Sequence, residues 1–306
     1  MYRFLLIACL LLLGSPGKAQ EPKNVLVLYG NNAELPWVKI FDASLRAAAI
    51  AGTKHPIEFF TEYFDVARFP GARHHEAFAE FVRARYSDRK IELVVSGGST
   101  TFDFLLTRRQ TFLAGVPLVY SFLPPDKVSG QNLPDDITGV IADFNPLLTI
   151  ELALRLHPGT SRLVMVTGAG PWGRAWEKRL RQETSVLQDR VELEFLSGLP
   201  TPQLLQRLST LPKGTVVFTP GYFHDGADSV FAPREALQTM AAKSAVPVYA
   251  AYETMVGTGI VGGVIPTFDA IGRQTGEIVA RILDGKAPAT LGPHVLQGDP
   301  LIDWRQ

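Results

Sequence analysis

The stretch that decides the fold is Ile137–Gly170, ITGVIADFNPLLTIELALRLHPGTSRLVMVTGAG. It reads as strand, turn, helix, turn, strand. Ile137–Ala142 is an apolar run rich in β-branched residues, and Asp143-Phe144-Asn145-Pro146 breaks it. Proline is favoured in a first helical turn, where its missing N–H has no partner to lose. Leu148, Leu152 and Leu156 then recur at i, i+4 and i+8, which predicts one apolar stripe facing the core. His157-Pro158-Gly159 stops that helix, and Leu163–Val166 is a buried strand again. Similar strand–helix units lie on both sides of this segment, so it is read as the crossing between two α/β lobes.

Toward the N-terminus, Lys23–Tyr29, Ile57–Phe60, Ile91–Val95 and Pro117–Phe122 read as strands. Helical spacing of apolar residues falls at Trp37–Ala48, His75–Arg85 and Phe102–Leu113. Toward the C-terminus, strands are expected at Val191–Leu196, Thr215–Thr219, Val246–Ala251 and Ile260–Ile265. Helices are expected at Arg174–Leu187, Pro202–Leu211, Arg234–Ser244 and Phe268–Leu283. Continuous apolar strands alternating with helices mean parallel sheets covered on both faces. The expected fold is therefore α/β, with two doubly wound parallel-sheet lobes, a hinge and a cleft between them. Residues 24–143 plus 258–288 are assigned to the first lobe, and 144–257 plus 289–306 to the second.

The first 19 residues read as an export signal. Arg3 precedes the apolar run Phe4–Leu13, which is too short to span a bilayer, and Gly17 and Ala19 place small residues before a cut after Ala19. Cleavage delivers the chain to the periplasm. It removes Cys9, the only cysteine, and with Arg3 and Lys18 it moves the formal charge from 0 to −2. A cysteine-free chain suits an oxidising compartment. No basic patch of the kind nucleic-acid binding needs is present in the sequence.

In open parallel sheets, ligands bind beyond the carboxyl ends of the strands. That rule selects Tyr29, Gly30 and Asn31; Ser96, Gly98, Ser99 and Thr100; Ser121; Asp143; Gly168 and Trp172; Tyr222 and Phe223; and Glu253 as candidate ligand-binding residues. Gly97 and Gly98 let the chain turn tightly, and the free N–H groups at the following helix start attract a carboxylate. The rings of Tyr29, Trp172, Tyr222 and Phe223 either sandwich a ligand or pack under their own loops. The expected ligand carries a carboxylate and an apolar or aromatic body, with Asp143 and Glu253 available to an ammonium group.

Gly168-Ala-Gly-Pro-Trp-Gly173 matches G-x-G-x-x-G between a strand and a helix, with Glu192 and Glu194 about 20 residues on. This keeps open an exported NAD(P)-dependent oxidoreductase, although Trp172 is bulky where a pyrophosphate would pass. Gly257-Thr-Gly-Ile-Val-Gly262 matches too but runs into a strand. His74-His75 reads as a helix start, and Asp225-Gly226-Ala227-Asp228 as a turn too short for a calcium loop.

Several stretches carry a family resemblance. They are Leu156-His-Pro-Gly159, Leu196-Ser-Gly-Leu-Pro200, Thr215-Val-Val-Phe218, Phe223-His-Asp-Gly226, Pro233-Arg-Glu-Ala236, Gly257–Gly263 and Asp303-Trp-Arg-Gln306. With them, the second half resembles the ABC-transporter substrate-binding-like domain, in the form found outside the membrane in bacterial sensor histidine kinases. The first half matches mainly in layout, and Asp228 stands where relatives usually have glycine. The resemblance implies a type I periplasmic-binding-protein fold and non-catalytic capture of a small solute, without a cofactor or metal. It implies a monomer that presents its ligand to a membrane permease or a membrane-bound kinase. In such kinases Asp-Trp-Arg-Gln leads into a linker and a transmembrane helix, so a free-standing receptor and a kinase sensor region both stay open. A DNA-binding regulator of the same lobe fold is not expected, because an export signal stands where a helix-turn-helix would be.

Overall fold

The computed structural model describes residues 20–66, 68–69 and 71–306. The segment read as an export signal, with Cys9, lies outside the described residues. The first half lays down β1 (Lys23–Tyr29), α1 (Pro36–Gly52), β2 (Ile57–Tyr63), α2 (Ala72–Tyr86), β3 (Leu93–Gly97) and α3 (Ser99–Arg108). β4 (Leu118–Leu123), β5 (Ile137–Ala142) and α4 (Pro146–Leu156) follow. Next come β6 (Arg162–Thr167), α5 (Pro171–Thr184), β7 (Glu192–Ser197), α6 (Thr201–Ser209), β8 (Thr215–Thr219), α7 (Pro233–Lys243) and β9 (Val248–Ala250). The chain closes with β10 (Gly262–Ile265), α8 (Phe268–Leu283), β11 (Pro293–Leu296) and β12 (Asp299–Ile302).

The strands form two six-stranded sheets, in the orders β11-β5-β4-β3-β1-β2 and β12-β10-β9-β8-β6-β7. Every pairing is parallel except that of β12 with β10. Both faces of each sheet are buried, which is why the strands read as unbroken apolar runs. In β1, Val25, Val27 and Tyr29 join the core against α1 and α8, while Leu26 and Leu28 join the core against α2 and α3. In β6, Val164 and Val166 face α6 and α7, while Leu163 and Met165 face α4 and α5. That is the two-residue period of a strand, hidden in the sequence because neither face is polar.

Three readings are corrected. The strand at 262–265 belongs to the second sheet, not the first lobe, because the return crossing follows it at residues 266–267. β11 pairs with β5 in the first sheet, so residues 293–296 belong to the first lobe and not to the second. Hydropathy marks 260–265 as buried but not which sheet it joins, and β11 and β12 are short edge strands with exposed positions. The leucine stripe of α4 also fails: Leu148 and Leu156 are 41% and 50% exposed, and the buried face is Thr149, Ile150, Leu152 and Ala153.

Three crossings therefore join the lobes, at residues 143–145, 266–267 and 297–298. They run close together: Asp143 N–H donates to the Leu296 carbonyl at 3.4 Å. A Cβ at Gly298 would stand 2.5 Å from the Ile265 nitrogen. After the second crossing α8 returns to the first lobe and lies directly on α1. A Cβ at Gly272 would be 2.6 Å from the Phe41 carbonyl oxygen, and one at Gly276 2.4 Å from that of Leu45, so only glycine admits this helix contact.

Candidate functional site

In the first lobe the carboxyl ends of β1, β3 and β4 meet the starts of α1 and α3. The α3 N-cap, Gly98, has φ +99° and offers no side-chain cap, so the first N–H groups of the helix keep their positive ends unpartnered by a capping side chain. A Cβ there would also fall 2.9 Å from the Phe122 ring. Ser99 is half-buried and Thr100 exposed at this helix start. Gly30 is buried beside them, its absent Cβ 3.4 Å from that of Thr100, and Asn31 is half-buried next to it.

Ser96 is not free for a ligand. Its hydroxyl is fully buried, bonded to the Thr101 hydroxyl at 2.9 Å and donating to the Gly98 carbonyl at 3.1 Å, so it shapes the loop from below. Ser121 is likewise buried and accepts from the Thr275 hydroxyl of α8 at 3.2 Å. Tyr29 is fully buried, stacked on Tyr63 and donating to Asp42 Oδ1 at 2.8 Å. Burial, reinforced by the Asp42 charge, pushes its hydroxyl well above the ordinary tyrosine value. It is a core ring, not one that closes over a ligand. The ring in front of it is Trp37, at 6.0 Å and edge-on.

Phe122, next to Ser121 at the carboxyl end of β4, is marked by its backbone. It has φ +42°, a conformation that bulky residues rarely adopt, and the β4–β5 register shifts between Tyr120 and Leu123. The irregularity turns its half-buried ring toward Trp37 (5.0 Å) and Phe268 (6.0 Å). Strained positions of this kind cluster at ligand clamps.

In the second lobe Trp172 is half-buried and packs edge-on against Phe223 at 4.7 Å, with Trp176 at 6.0 Å. These two rings lie just past the ends of β6 and β8. Tyr222 does not. It is 1% exposed in the core, and its hydroxyl donates to the Leu199 carbonyl at 3.0 Å. Gly168 is buried, and a Cβ on it would lie 2.5 Å from the His224 carbonyl oxygen. Ala169 N–H donates to that same oxygen at 3.0 Å. The space a pyrophosphate would need over this loop is filled by the protein's own backbone. Glu192 and Glu194 lie in the first half of β7 and pair with Arg162, so neither is placed to hold a ribose.

At the hinge, Asp143 is paired with Arg179 of α5 at 3.3 Å, and Arg179 also holds Glu183 at 2.6 Å while lying over the Trp176 ring. Glu253 accepts from the Phe268 N–H at 2.5 Å. Both carboxylates expected to meet a ligand ammonium are thus engaged in tying the lobes together. Aromatic rings follow the same seam: Phe144 against Tyr252 at 4.7 Å, and Tyr252 stacked on Phe268 at 6.4 Å. Trp37, Phe122, Phe268, Tyr252, Trp176 and Trp172 form one continuous series of contacts from the first lobe to the second. A helix-start tryptophan such as Trp37, and Phe268 just after the second crossing, look like ordinary core residues in the sequence.

Asp225 makes the turn expected at 225–228. Its buried carboxylate accepts from the N–H groups of Thr201, Ala227 and Ser229 at 2.8–3.0 Å and from the Thr201 hydroxyl at 2.8 Å. Burial raises its pKa, but these donors outweigh it and bring the group down to about 2. Asp228 adopts φ +60°, a backbone conformation that glycine takes most readily. Among the described residues, no group of three or more His, Cys, Asp or Glu side chains is arranged to hold a metal. No helix among them is long and apolar enough to cross a membrane. A cavity of about 230 Å³ between α6 and α7 is bounded by Thr201, Leu205, Tyr222, Phe231 and Met240.

As a sequence, the chain matches no protein-family model and none of the curated proteins. As a structure it has clear neighbours. The ligand-free, open structure of a substrate-binding protein with adhesive properties from Clostridium difficile superposes with TM-score 0.67 and 13% identity over 92% of both chains. An ABC domain from Streptococcus pneumonia in complex with L-Trp gives TM-score 0.65 and 14% identity over 93% of both. An ABC transporter solute-binding protein from Bacillus halodurans with bound myo-inositol gives 0.59 and 11% identity, covering 94% of this chain and 96% of that one. The fold is that of the type I periplasmic binding proteins.

Proposed function

We propose that this chain is an extracytoplasmic solute-binding protein that captures a small organic molecule between its lobes and presents it to a membrane partner. The partner is an ABC-transporter permease or a sensor histidine kinase. The observation that carries the reading is the pairing of an uncapped α3 start with aromatic rings from both lobes. A carboxylate of the ligand would rest on the N–H groups and hydroxyls of Ser99 and Thr100. Its apolar or aromatic body would lie against Trp37 and Phe122 on one side and Trp172 and Phe223 on the other. The L-Trp complex of the streptococcal domain and the myo-inositol complex of the Bacillus protein support a small-molecule ligand. Binding to the folded form raises its stability by about 2.7 kcal/mol when the ligand is at 100 times its Kd.

The test is a thermal-shift screen of the mature chain with amino acids, aromatic carboxylates and polyols, repeated on Trp37→Ala. Stabilisation by an aromatic carboxylate that Trp37→Ala abolishes is the expected result. Stabilisation by none of these classes would overturn the reading.

A further inference from the structure

Asp65 sits at the carboxyl end of β2, on the side of the first lobe where the solute-binding reading places the ligand. The chain there runs alongside the end of β1. Phe64 N–H donates to the Tyr29 carbonyl at 2.7 Å, and Val66 N–H to the Gly30 carbonyl at 3.1 Å. Gly30 therefore links the α3 start to Asp65: a Cβ on it would stand 3.4 Å from that of Thr100, and its carbonyl accepts from Val66, the residue after Asp65. Asp65 is 7% exposed and holds φ +50°. One carboxylate oxygen, Oδ2, is bonded to Arg68 Nε at 2.6 Å, and Arg68 itself stands 63% exposed. The other oxygen, Oδ1, is shut off from solvent with no hydrogen-bond partner among the described residues.

Each feature is costly. A buried carboxylate oxygen without a donor is strongly unfavourable, and a left-handed backbone adds strain at the same residue. Asp143 and Glu253, by contrast, each have a partner at the hinge, Arg179 and the Phe268 N–H, and neither has a buried oxygen without one among the described residues.

Resting on the solute-binding reading, we infer that Asp65 is the counter-ion for an ammonium group of the ligand, with Arg68 occupying part of that carboxylate when the ligand is absent. The recognised solute would then be zwitterionic, its carboxylate at the α3 start and its ammonium at Asp65. An ammonium supplies up to three donors, enough for the oxygen that Arg68 leaves unpaired.

The test uses two probes that differ in the ammonium alone, L-tryptophan and indole-3-propionate, titrated calorimetrically into the mature chain. Wild type should bind L-tryptophan at least tenfold tighter. Asp65→Asn should reduce that preference to near unity by weakening L-tryptophan only. Arg68→Ala, which frees Asp65 without removing it, should tighten L-tryptophan several-fold and leave indole-3-propionate unchanged; it serves where Asp65→Asn does not fold. Equal binding of both probes by wild type, or a preference untouched by both variants, overturns the role of Asp65 while leaving solute binding standing. Failure of wild type to bind either probe overturns this inference, and the aromatic-carboxylate reading with it.

Discussion

Glu253, in the second lobe, accepts a hydrogen bond from the backbone N–H of Phe268, the first residue of α8 in the first lobe, at 2.5 Å. A carboxylate from one lobe thus caps a helix of the other across the hinge. Tyr252, its neighbour, stacks on the Phe268 ring with planes 5° apart. A polar and an aromatic contact between the same two chain segments thus cross the hinge side by side.

The Glu253 carboxyl carries a pH signature. Burial raises its pKa above the ordinary value; the Phe268 N–H opposes this and the Asp269 charge adds to it. A carboxyl raised in the folded state favours folding below the unfolded value of about 4.3 and loses that contribution as pH rises through the folded value. Glu253→Gln keeps an acceptor for Phe268 without the charge. It should be more stable than wild type at pH 7, with the gain vanishing below about pH 4. Thermal melts across that range check the sign, and a gain that instead grows toward acid would refute the assignment.

Gly98→Ala should be strongly destabilising, by about 1–3 kcal/mol, since it puts a side chain at φ +99° and against the Phe122 ring at once. It should also disturb ligand binding, because the ring it displaces faces Trp37 and Phe268. Chemical denaturation measures the first effect and calorimetry the second.

Thr100→Ala and Tyr222→Ala should separate binding from stability. Thr100 is exposed at the α3 start, so removing its hydroxyl should weaken a carboxylate ligand by about 1 kcal/mol and leave the melting temperature nearly unchanged. Tyr222 is core, so its truncation should cost about 3 kcal/mol or more of stability. If Tyr222→Ala melts like wild type but loses ligand, its ring belongs to the cleft after all.

Asp225→Ala should cost about 2 kcal/mol at neutral pH, the worth of hydrogen bonds to one charged group. With its pKa lowered to about 2, the carboxylate contributes stability above the ordinary value near 4 and loses it as pH falls toward 2. The gap between wild type and Asp225→Ala should stay constant above about pH 5 and narrow in acid. A gap independent of pH down to 2 would assign the loss to packing alone.

Much of the architecture was legible in the sequence. β5, β8 and α8 fall on the residues their patterns marked, because a strand buried on both faces and a helix ended by Asp284-Gly285 leave local signatures. Trp172 and Phe223 stand at strand ends for the same reason: the rule that reads them needs only chain order. Long-range pairing is different. Nothing local tells Gly262–Ile265 to join β9 and β12, or Pro293–Leu296 to join β5; pairing with strands elsewhere in the chain, as distant in sequence as Gly139 is from Pro293, chooses the sheet. The same holds for the chemistry. Tyr29 and Tyr222 look like ligand rings until packing buries them, and Asp143 and Glu253 look free until Arg179 and Phe268 claim them. Asp65 and Phe122 look ordinary until the backbone places them in the left-handed region beside the helix starts. Residue type and spacing determined most of the elements and which loops follow the carboxyl ends of the strands. Which side chains remain unpaired there was decided only when the tertiary fold filled every other partner's place.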